Sequence, residues 1–345
     1  MIGAPVFRYV LTPGWAGDSL ARAAQAVPSL DLNFAATKTV GPLVTFTRAS
    51  SATFIDSAGT LQTAAVDVPR FDHNPTTGES LGLLVEEQRT NLLLNTATLS
   101  TQSVTVTAAA HTLSFYGSGT VTLSGASTAG PAVGSGVFPA RTTLTFTPSA
   151  GTLTLTVTGS VTSAQLEVGA FPTSYIPTTA AAATRSADVA SITGANFSSW
   201  YRQDEGTVFA EALLGRQNAL PGAAILGIET GVSNAEALYM QYRATGVTGF
   251  SIYDNSSLQT DFSPYGAAVP AGTVVRQCGA YKLNNSVGIG GGVAQTTDTA
   301  CTMPTPDRML IGFSTIANNF LSGTIRRLTY WPQRLPNSTL EAITR

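Results

Sequence analysis

Two adjacent carboxylates, Glu86 and Glu87, stand inside a nearly unbroken apolar run, LGLLVEEQRTNLLLN, at residues 81–95. Paired carboxylates can act as general acid and base in glycoside hydrolysis, but the two groups must then flank the same bond. Neighbouring residues of a strand point to opposite faces, so these two side chains cannot converge on one substrate. Catalysis is therefore the weakest interpretation of this pair.

The apolar neighbours imply that at least one of these carboxylates is partly buried, where an unpaired charge is costly. Arginines are the available partners, and a bidentate arginine–carboxylate pair would satisfy the site. We predict a structural latch where one domain joins the next, with an inter-subunit contact as an alternative. The latch consists of Glu86, Glu87, Arg48, Arg70 and Arg89.

The histidines and cysteines do not form a recognisable reactive site. His73 follows Asp72, as a nucleophile triad could use, but the chain has no G-x-S-x-G elbow, so we interpret His73 and His111 as structural. Cys278 and Cys301 lack the spacing of a zinc site, and reduced buried thiols are favoured over a disulfide bridge. The sequence thus predicts no catalytic residue, no metal and no cofactor, and a protein that is not an enzyme.

A candidate binding surface lies on the segments LYMQYR (238–243) and FSIYD (250–254), which are joined by a glycine-containing turn. If their alternate apolar residues point inward, the remaining side chains share the outer face of a two-stranded unit. Aromatic rings beside a few polar groups are typical of ligand sites, so we predict glycan binding there. Tyrosine and arginine are also enriched at subunit interfaces, so an interface or a neutral surface remains open. The patch consists of Tyr239, Gln241, Arg243 and Tyr253.

The composition indicates a β-rich chain with an unusually uncharged surface. The 345 residues include 43% hydrophobic and only 11% charged residues, against roughly 25% charged in an average soluble protein. A net charge of −2 lacks the basic footprint that phosphate-backbone binding requires, so nucleic acid is not an expected partner. The start of the chain has no signal-peptide pattern, and no stretch is apolar enough to span a membrane.

Alternation of apolar residues with threonine is the main structural signal. Residues 96–166 contain one formally charged side chain, Arg141. Within them, TTLTFTPSAGTLTLTVTG (142–159) alternates, turns and alternates again, which predicts an antiparallel hairpin with one buried face. HTLSFYGSGTVTLSG (111–125) predicts a second hairpin of the same kind. Threonine favours strands and needs no charge on the solvated face.

The remaining pattern predicts a second sandwich, framed by two helices. Strands are expected at 206–214, 223–230, 237–243, 248–254, 273–283, 308–314 and 322–331. The prolines and small residues of 178–185 indicate a domain junction before them. One helix is expected in GDSLARAAQAV, with Asp18 or Ser19 as N-cap. A second is expected in PNSTLEAITR, with Asn337 or Ser338 as N-cap and a capping box to Glu341.

Three stretches resemble known families. FTRASSATFIDSAGTLQTAAVDVPRFDHNPTTGESLGLLVEEQRTNLLLN (46–95) closely resembles a module of tailed-phage and prophage structural proteins, namely head spikes, head fibres and tail fibres. AQLEVGAFPTSYIPTTAAAATRSAD (164–188) resembles the end of a carbohydrate-binding-module-like jelly roll in the same proteins. EGTVFAEALL (205–214) and LSGTIRRLTYWPQRLPNSTLEAI (321–343) resemble a concanavalin-A-like lectin or laminin-G sandwich. This family is a structural class and supplies no catalytic residues.

Together these observations predict an all-β protein of tandem antiparallel β-sandwiches, a jelly roll followed by a concanavalin-A-like domain, after a short N-terminal anchoring segment. The expected divisions are a particle-attachment segment at 1–30, a β-rich connector at 31–95, the jelly roll at 96–180 and the lectin-like domain at 185–345.

The resemblance implies a virion fibre or spike, made in the host cytoplasm and carried on the particle surface, that adheres to host polysaccharide by weak, multivalent glycan binding. We expect a homotrimer without membrane insertion, whose N-terminal segment contacts other virion proteins such as the capsid, the portal or neck, or the baseplate. A decoration or connector protein that only stabilises the particle is the first alternative, and a glycan depolymerase is the second.

Overall fold

The computed structural model describes residues 20, 24–214, 222–232, 235–243, 247–265, 269–270, 272–315 and 319–345. The predicted helix with Asp18 or Ser19 as its N-cap, and most of the predicted attachment segment 1–30, lie outside these residues. Within the described ranges, the longest helices are far too short and polar to cross a membrane.

The fold is nearly all β, as predicted. Its described strands form two large sheets, two small sheets and three two-stranded pairs, and the strand pairings within them are antiparallel. Sheet I has eight strands: β1 (Leu30–Leu32), β5 (Arg70–His73), β6 (Ser80–Val85), β17 (Glu205–Leu213), β22 (Val274–Lys282), β23 (Val287–Gly290), β24 (Val293–Ala294) and β28 (Gly323–Trp331). Sheet II has seven: β2 (Thr45–Thr47), β16 (Val189–Thr193), β18 (Ala223–Glu229), β19 (Ala237–Tyr242), β20 (Thr248–Asp254), β21 (Ser257–Tyr265) and β25 (Arg308–Ile311).

Sheet III contains β8 (Gln102–Val106), β10 (Thr120–Gly125), β11 (Ala132–Val133) and β13 (Gly151–Thr158), and sheet IV contains β9 (His111–Tyr116), β12 (Thr142–Phe146) and β14 (Thr162–Val168). Two-stranded pairs join β3 (Ala52–Ile55) to β4 (Leu61–Ala64), β7 (Arg89–Asn91) to β15 (Ala183–Arg185), and β26 (Phe313–Ser314) to β27 (Asn319–Phe320). The described helices are α1 (Phe34–Thr37), α2 (Gly194–Ser198) and α3 (Asn337–Thr344).

Sheets I and II face each other and form the larger sandwich. The alternation predicted for the strands places Val208, Ala210 and Ala212 of β17 in the same core as Leu238 and Met240 of β19. The core is continuous and apolar, and burial of apolar area is the main favourable term that holds the two sheets together. Six of the seven strands expected between 206 and 331 are present in the structure, with ends that differ by a few residues. The seventh, 308–314, is divided into β25 and β26, which belong to different sheets, and β21, β23, β24 and β27 were not expected.

Sheets III and IV form the smaller sandwich, with a separate core. Leu113 and Phe115 of β9 pack with Leu153 and Leu155 of β13 and Leu166 of β14. Hydroxyls link neighbouring strands on the opposite faces, for example Ser103 Oγ to Thr154 Oγ1 at 2.8 Å. This sandwich therefore satisfies much of its outer surface with threonine and serine rather than with charge.

Both predicted hairpins in the smaller sandwich are wrong in their pairing. β12 pairs with β9 in sheet IV, whereas β13 pairs with β10 and β8 in sheet III. The turn after Phe146 thus carries the chain from one sheet to the other, as in jelly rolls. β9 and β10 are likewise in different sheets. Period-two alternation marks one buried face per strand, and it looks the same for a hairpin and for a crossing between sheets.

The predicted connector, 31–95, is built into both sheets of the larger sandwich. β6 pairs with β28 in sheet I, where Leu84 lies opposite Thr324, and β2 pairs with β16 in sheet II. The expected limit between 31–95 and 185–345 is therefore not a limit between sheets. Strand pairing over more than 140 residues of sequence distance leaves no local trace in the sequence.

Helix α3 covers part of the outer face of sheet I. Leu340 and Ile343 pack with Phe209, Trp331 and Cys278 in a third apolar cluster, to which Leu20 and Ala24 also contribute. The expected N-caps are wrong: the helix begins at Asn337 after Pro336, and no side chain caps it. Proline fixes φ near the helical value and suits the start of a helix without a capping hydroxyl.

Candidate functional site

Glu86 lies at the point where the two sandwiches meet. It directly follows β6 and is 5% exposed. One carboxylate oxygen accepts the backbone N–H of Ser174 at 2.7 Å, and the other accepts its hydroxyl at 2.6 Å. Ser174 belongs to the segment that leaves β14 of the smaller sandwich. Glu86 therefore ties sheet I of the larger sandwich to the exit of the smaller one.

Two arginines neutralise this buried carboxylate. Arg70, the first residue of β5, lies 2.8 Å from it, and Arg185, the last residue of β15, lies 3.0 Å from it. Both side chains are at most 1% exposed. Arg185 also donates to the hydroxyl of Thr173 at 3.0 Å. These contacts bring three separate segments of the chain together around one negative charge.

Asp188 completes the set from sheet II. Its carboxylate, fully buried just before β16, pairs with Arg48 at 3.0 Å and with Arg70, and accepts the backbone N–H of Glu86 at 2.9 Å. The N–H of Asp188 returns to the carbonyl of Glu86 at 3.0 Å. We call Arg48, Arg70, Glu86, Arg185 and Asp188 the junction network.

The electrostatics of the network favour the charged form of Glu86. Burial alone would raise its pKa, but Arg185, Arg70 and the hydrogen bonds from Ser174 outweigh burial and lower the pKa from 4.5 to about 2. Complete burial alone would lower the pKa of Arg70, but the charges and hydrogen bonds of Asp188 and Glu86 outweigh burial and raise it. Removing one partner of such a buried pair strongly destabilises the fold, because the other charge stays buried without a counter-charge.

The five residues of the predicted latch belong to different ion pairs. Glu86 and Arg70 contact each other, and Glu87 pairs with Arg89, whose guanidinium also lies 4.9 Å from the centre of the Phe171 ring. Arg48 binds Asp188 rather than either glutamate. Asp188 and Arg185 were missed, although both stand in the TRSAD segment (184–188) that marked the end of the jelly-roll resemblance. The two segments that resemble the same family carry opposite charges, and this pattern could have predicted that their charged residues pair.

A cleft of about 250 Å³ lies beside the network, on the outer face of sheet I. Its floor is a row of three paired residues, Leu84 of β6, Thr324 of β28 and Leu213 of β17. One wall is the β3–β4 hairpin, and the other comes from the smaller sandwich. The lining also includes Thr53, Phe54, Ile55, Leu61, Asp72, Leu81, Glu86, Tyr116, Arg141, Pro172, Thr173, Ser174, Tyr175, Ser322 and Gly323.

Asp72 is the carboxyl group in this cleft whose pKa is raised. Burial raises its pKa from 3.8 to about 6, and the charge of Glu86 adds to the effect, while the N–H of Ile55 at 2.7 Å and the charge of Arg70 oppose it. Asp72 lies at a β-bulge opposite Gly82, where the pairing of β5 and β6 shifts register. Bulges re-aim side chains next to binding sites, which agrees with its position in the lining.

The cleft also contains polar groups that no part of the described chain satisfies. Thr324 Oγ1 and Ser322 Oγ are buried without a hydrogen-bond partner there, and so is Arg141 Nε. The other nitrogens of Arg141 donate to the Thr173 carbonyl and the Ser114 hydroxyl, both at 2.7 Å. Three of the buried, unpartnered polar atoms of the described chain therefore belong to residues that line this one cleft, where water or another polar molecule could satisfy them.

The predicted patch on sheet II has the expected orientation, since Leu238 and Met240 point into the core. Tyr239, however, is only 2% exposed, so its expected exposure is wrong. It lies opposite Gly227 of β18. The space beside that glycine holds the side chain of Glu229, at the end of the same strand, and that of Ser314, from the adjacent β26–β27 hairpin. Strand periodicity gives the face of the sheet but not what covers it.

The other patch residues stay closer to the surface. Arg243 pairs with Asp261 of β21, and Ser251 donates to the same carboxylate at 2.8 Å. Gln241 and Tyr253 are partly buried on the same face. Burial raises the pKa of the Tyr253 phenol, and Asp261 adds to that shift. A glycan-binding role for Tyr239, Gln241, Arg243 and Tyr253 stays a prediction.

The remaining candidates have structural contacts. His73 Nδ1 lies 3.0 Å from the Ile55 carbonyl, and His111 Nδ1 lies 2.8 Å from the Ala109 carbonyl. Cys278 and Cys301 are free and buried, which confirms the prediction of reduced thiols. Across the described ranges, no group of three or more histidine, cysteine or acidic side chains could hold a metal ion.

Comparison with known proteins gives only distant likenesses. No protein-family model matches the chain, and no curated protein matches it. Among solved structures, the carbohydrate-binding module CBM40 of the Ruminococcus gnavus IT-sialidase, bound to alpha2,3 sialyllactose, is similar over 42% of this chain and 84% of its own, at 16% identity and a TM-score of 0.35.

Two further structures are similar to the same degree. A heptameric SAP-like pentraxin from Limulus polyphemus covers 41% of this chain and 70% of its own, at 12% identity and a TM-score of 0.33. The leech intramolecular trans-sialidase covers 44% of this chain and 24% of its own, at 15% identity and a TM-score of 0.36. Scores of this size do not assign a ligand, and the architecture follows from the sheet topology itself.

Proposed function

We propose that the protein is a structural protein of a tailed-phage virion, a fibre or spike that attaches the particle to glycans on the host surface. Its binding is weak at each site and gains strength from several copies. Trimerisation turns such contacts into avidity that exceeds the single-site affinity by a factor of about 10²–10⁴. The N-terminal segment 1–30 joins the trimer to other virion proteins.

The observation that carries this proposal is the origin of the junction network. Segment 46–95, which resembles a module of phage spike and fibre proteins, supplies Arg48, Arg70 and Glu86. Segment 164–188, which resembles the end of a jelly roll from the same proteins, supplies Arg185 and Asp188. The resembling residues are therefore the ones that hold the sandwiches together, as a protein under mechanical load requires.

Competition for adsorption tests this function with the intact chain, because 31–95 is woven into both large sheets and a deletion of 185–345 would unmake them. Host cells are incubated with the purified chain before particles that carry it are added. We expect adsorption to fall as the chain occupies surface glycans. Enzymatic removal of those glycans should lower adsorption to the same level, and added chain should then have no further effect. Adsorption that is unchanged at saturating chain would rule out adhesion.

A purely structural connector is the second candidate, and the completeness of the junction network favours it. The carboxylates of Glu86 and Asp188 both pair with arginines of the same chain. This is the arrangement expected of a protein whose role is only to be rigid. A connector would leave adsorption unchanged in the competition, while particles without the protein would lose infectivity through physical instability. Release of phage DNA on mild heating measures that instability.

A further inference from the structure

The cleft beside the junction network combines an apolar floor with polar groups that the protein leaves unsatisfied. Leu84 and Leu213 flank Thr324 on three paired strands of sheet I. Thr324 is 3% exposed, and its hydroxyl has no partner in the part of the chain that the structure describes. Valine has nearly the same shape and would remove the cost of that buried hydroxyl. A threonine in this row is explained by a polar group that enters the cleft.

Ser322 repeats the observation two residues earlier. It is 6% exposed, its hydroxyl is likewise unpartnered within the described ranges, and its backbone has φ of 46°, a left-handed conformation that side chains other than glycine rarely adopt. Such strained residues cluster at ligand sites. Ser322 and Thr324 therefore present two hydroxyls to the same space from one strand end.

The charges that face the cleft balance. Asp72 contributes a carboxyl group and Arg141 a guanidinium, while the carboxylate of Glu86 is already neutralised by Arg70 and Arg185. Two nitrogens of Arg141 are also bound to the protein, which leaves only Nε. An anionic ligand would meet Asp72 without a free cation to offset it. The site favours an uncharged molecule with several hydroxyls.

The size of the cleft narrows the ligand further. Its volume of about 250 Å³ has room for about eight water molecules of about 30 Å³ each. It is smaller than the roughly 300–1,000 Å³ of sites that enclose drug-sized ligands. Leu61, which is 39% exposed, stands at its edge, so the cleft opens to solvent. A single ring that enters from a longer chain fits these dimensions.

We propose that this cleft binds one neutral hexose residue of a polysaccharide, with the apolar face of the ring on Leu84 and Leu213 and its hydroxyls on Thr324, Ser322 and Asp72. The inference rests on the proposed glycan adhesion and assigns it to the junction between the sandwiches. It moves the binding site away from the Tyr239 side of sheet II.

Titration of the full chain with methyl α-glucopyranoside, methyl α-galactopyranoside, methyl α-mannopyranoside and glucuronate tests the assignment, with dissociation constants taken from saturation-transfer NMR. We expect at least one methyl hexoside to bind, and glucuronate to bind at least about tenfold more weakly because its carboxylate meets Asp72 without a free cation. Thr324→Val and Ser322→Ala should each weaken the hexoside by about five- to tenfold. Thr324→Val should not lower the melting temperature, because it removes an unsatisfied hydroxyl.

Thr105→Val, at an exposed position of β8 outside the cleft, is the matched control and should leave binding within about twofold of the unmodified chain. Unchanged affinity in Thr324→Val, loss of affinity in Thr105→Val, or tighter binding of glucuronate would each overturn the cleft assignment while adhesion itself still stands. A chain that binds none of the three hexosides also overturns it. The adsorption competition then judges the proposed function separately.

Discussion

The junction network and the Arg243–Asp261 pair use the same side-chain chemistry in opposite surroundings. Arg70, Glu86 and Asp188 are almost completely buried and come from segments far apart in the sequence. Arg243 and Asp261 are 30% and 32% exposed and come from one end of sheet II. Solvent competes for the second pair but not for the first.

This difference explains where a chain with only 11% charged residues uses its charge. The smaller sandwich manages its outer surface with hydroxyls, and its 96–166 segment holds a single charged side chain, Arg141, which itself reaches the cleft. The fully buried ion pairs lie where the two sandwiches meet, and a satisfied polar network of this kind rigidifies the site that it occupies. A neutral substitution should therefore have very different consequences in the two places.

The largest expected effect is at Glu86. Glu86→Gln leaves Arg185 buried without a counter-charge and leaves Arg70 with Asp188 alone, so we expect a loss of roughly 3–5 kcal/mol in the free energy of unfolding at pH 7. Urea denaturation followed by the fluorescence of Trp200 and Trp331 measures it. Glu79→Gln is the control, since that side chain is 58% exposed and pairs only at the surface with Arg326. Equal losses in both variants would contradict the comparison.

The same variant has a defined pH dependence. Because the pKa of Glu86 is lowered from 4.5 to about 2, its stabilising contribution is complete above pH 4.5 and is lost as the pH falls towards 2. The difference between the unmodified chain and Glu86→Gln should therefore shrink over that interval. A difference that stays constant down to pH 2 would mean that the carboxylate is not held by Arg70 and Arg185.

An effect of opposite sign is expected at Asp72, which lies in β5 two residues after Arg70. Its pKa is raised from 3.8 to about 6, so its favourable contribution is present below pH 3.8 and is lost as the pH rises through 6. Asp72→Asn keeps an acceptor for the Ile55 N–H and removes the buried charge. We expect it to stabilise the fold by up to roughly 3 kcal/mol at pH 8. Thermal unfolding at pH 3 and pH 8 checks this, and a gain at pH 3 as large as at pH 8 would contradict it.

These contrasts show how far the sequence could predict the molecule. Alternation assigned the faces of β19 and β20 correctly, and the apolar surroundings of Glu86 predicted a buried, arginine-paired carboxylate. Both signals are local, since they depend only on neighbours along one strand. Partner choice is not local. β12 and β13 alternate as a hairpin would, yet they belong to different sheets.

The cleft shows the same limit for a candidate site. Its floor comes from β6, β17 and β28, and its walls from the β3–β4 hairpin and the smaller sandwich. Thr324 looks like any strand threonine in the sequence, and only its position between Leu84 and Leu213 makes its hydroxyl unusual. The prediction for Tyr239 was wrong in the opposite sense: a residue expected to be exposed is buried, because a hairpin distant in sequence covers the sheet beside it. Coverage and cavities arise from long-range packing, which residue patterns do not encode.

The smallest effect is expected on the outer face of sheet II. Asp261→Asn removes the charge that Arg243 pairs with, but both groups keep contact with water. Exposed ion pairs contribute about 0.2–1 kcal/mol, so we expect the free energy of unfolding to fall by no more than about 1 kcal/mol. Raising the salt concentration to about 1 M, where the screening length is about 3 Å, should reduce even that difference. The buried junction should respond far less to salt, so the ratio of the Glu86→Gln loss to the Asp261→Asn loss should grow with ionic strength. A ratio that falls would show that the junction is open to solvent.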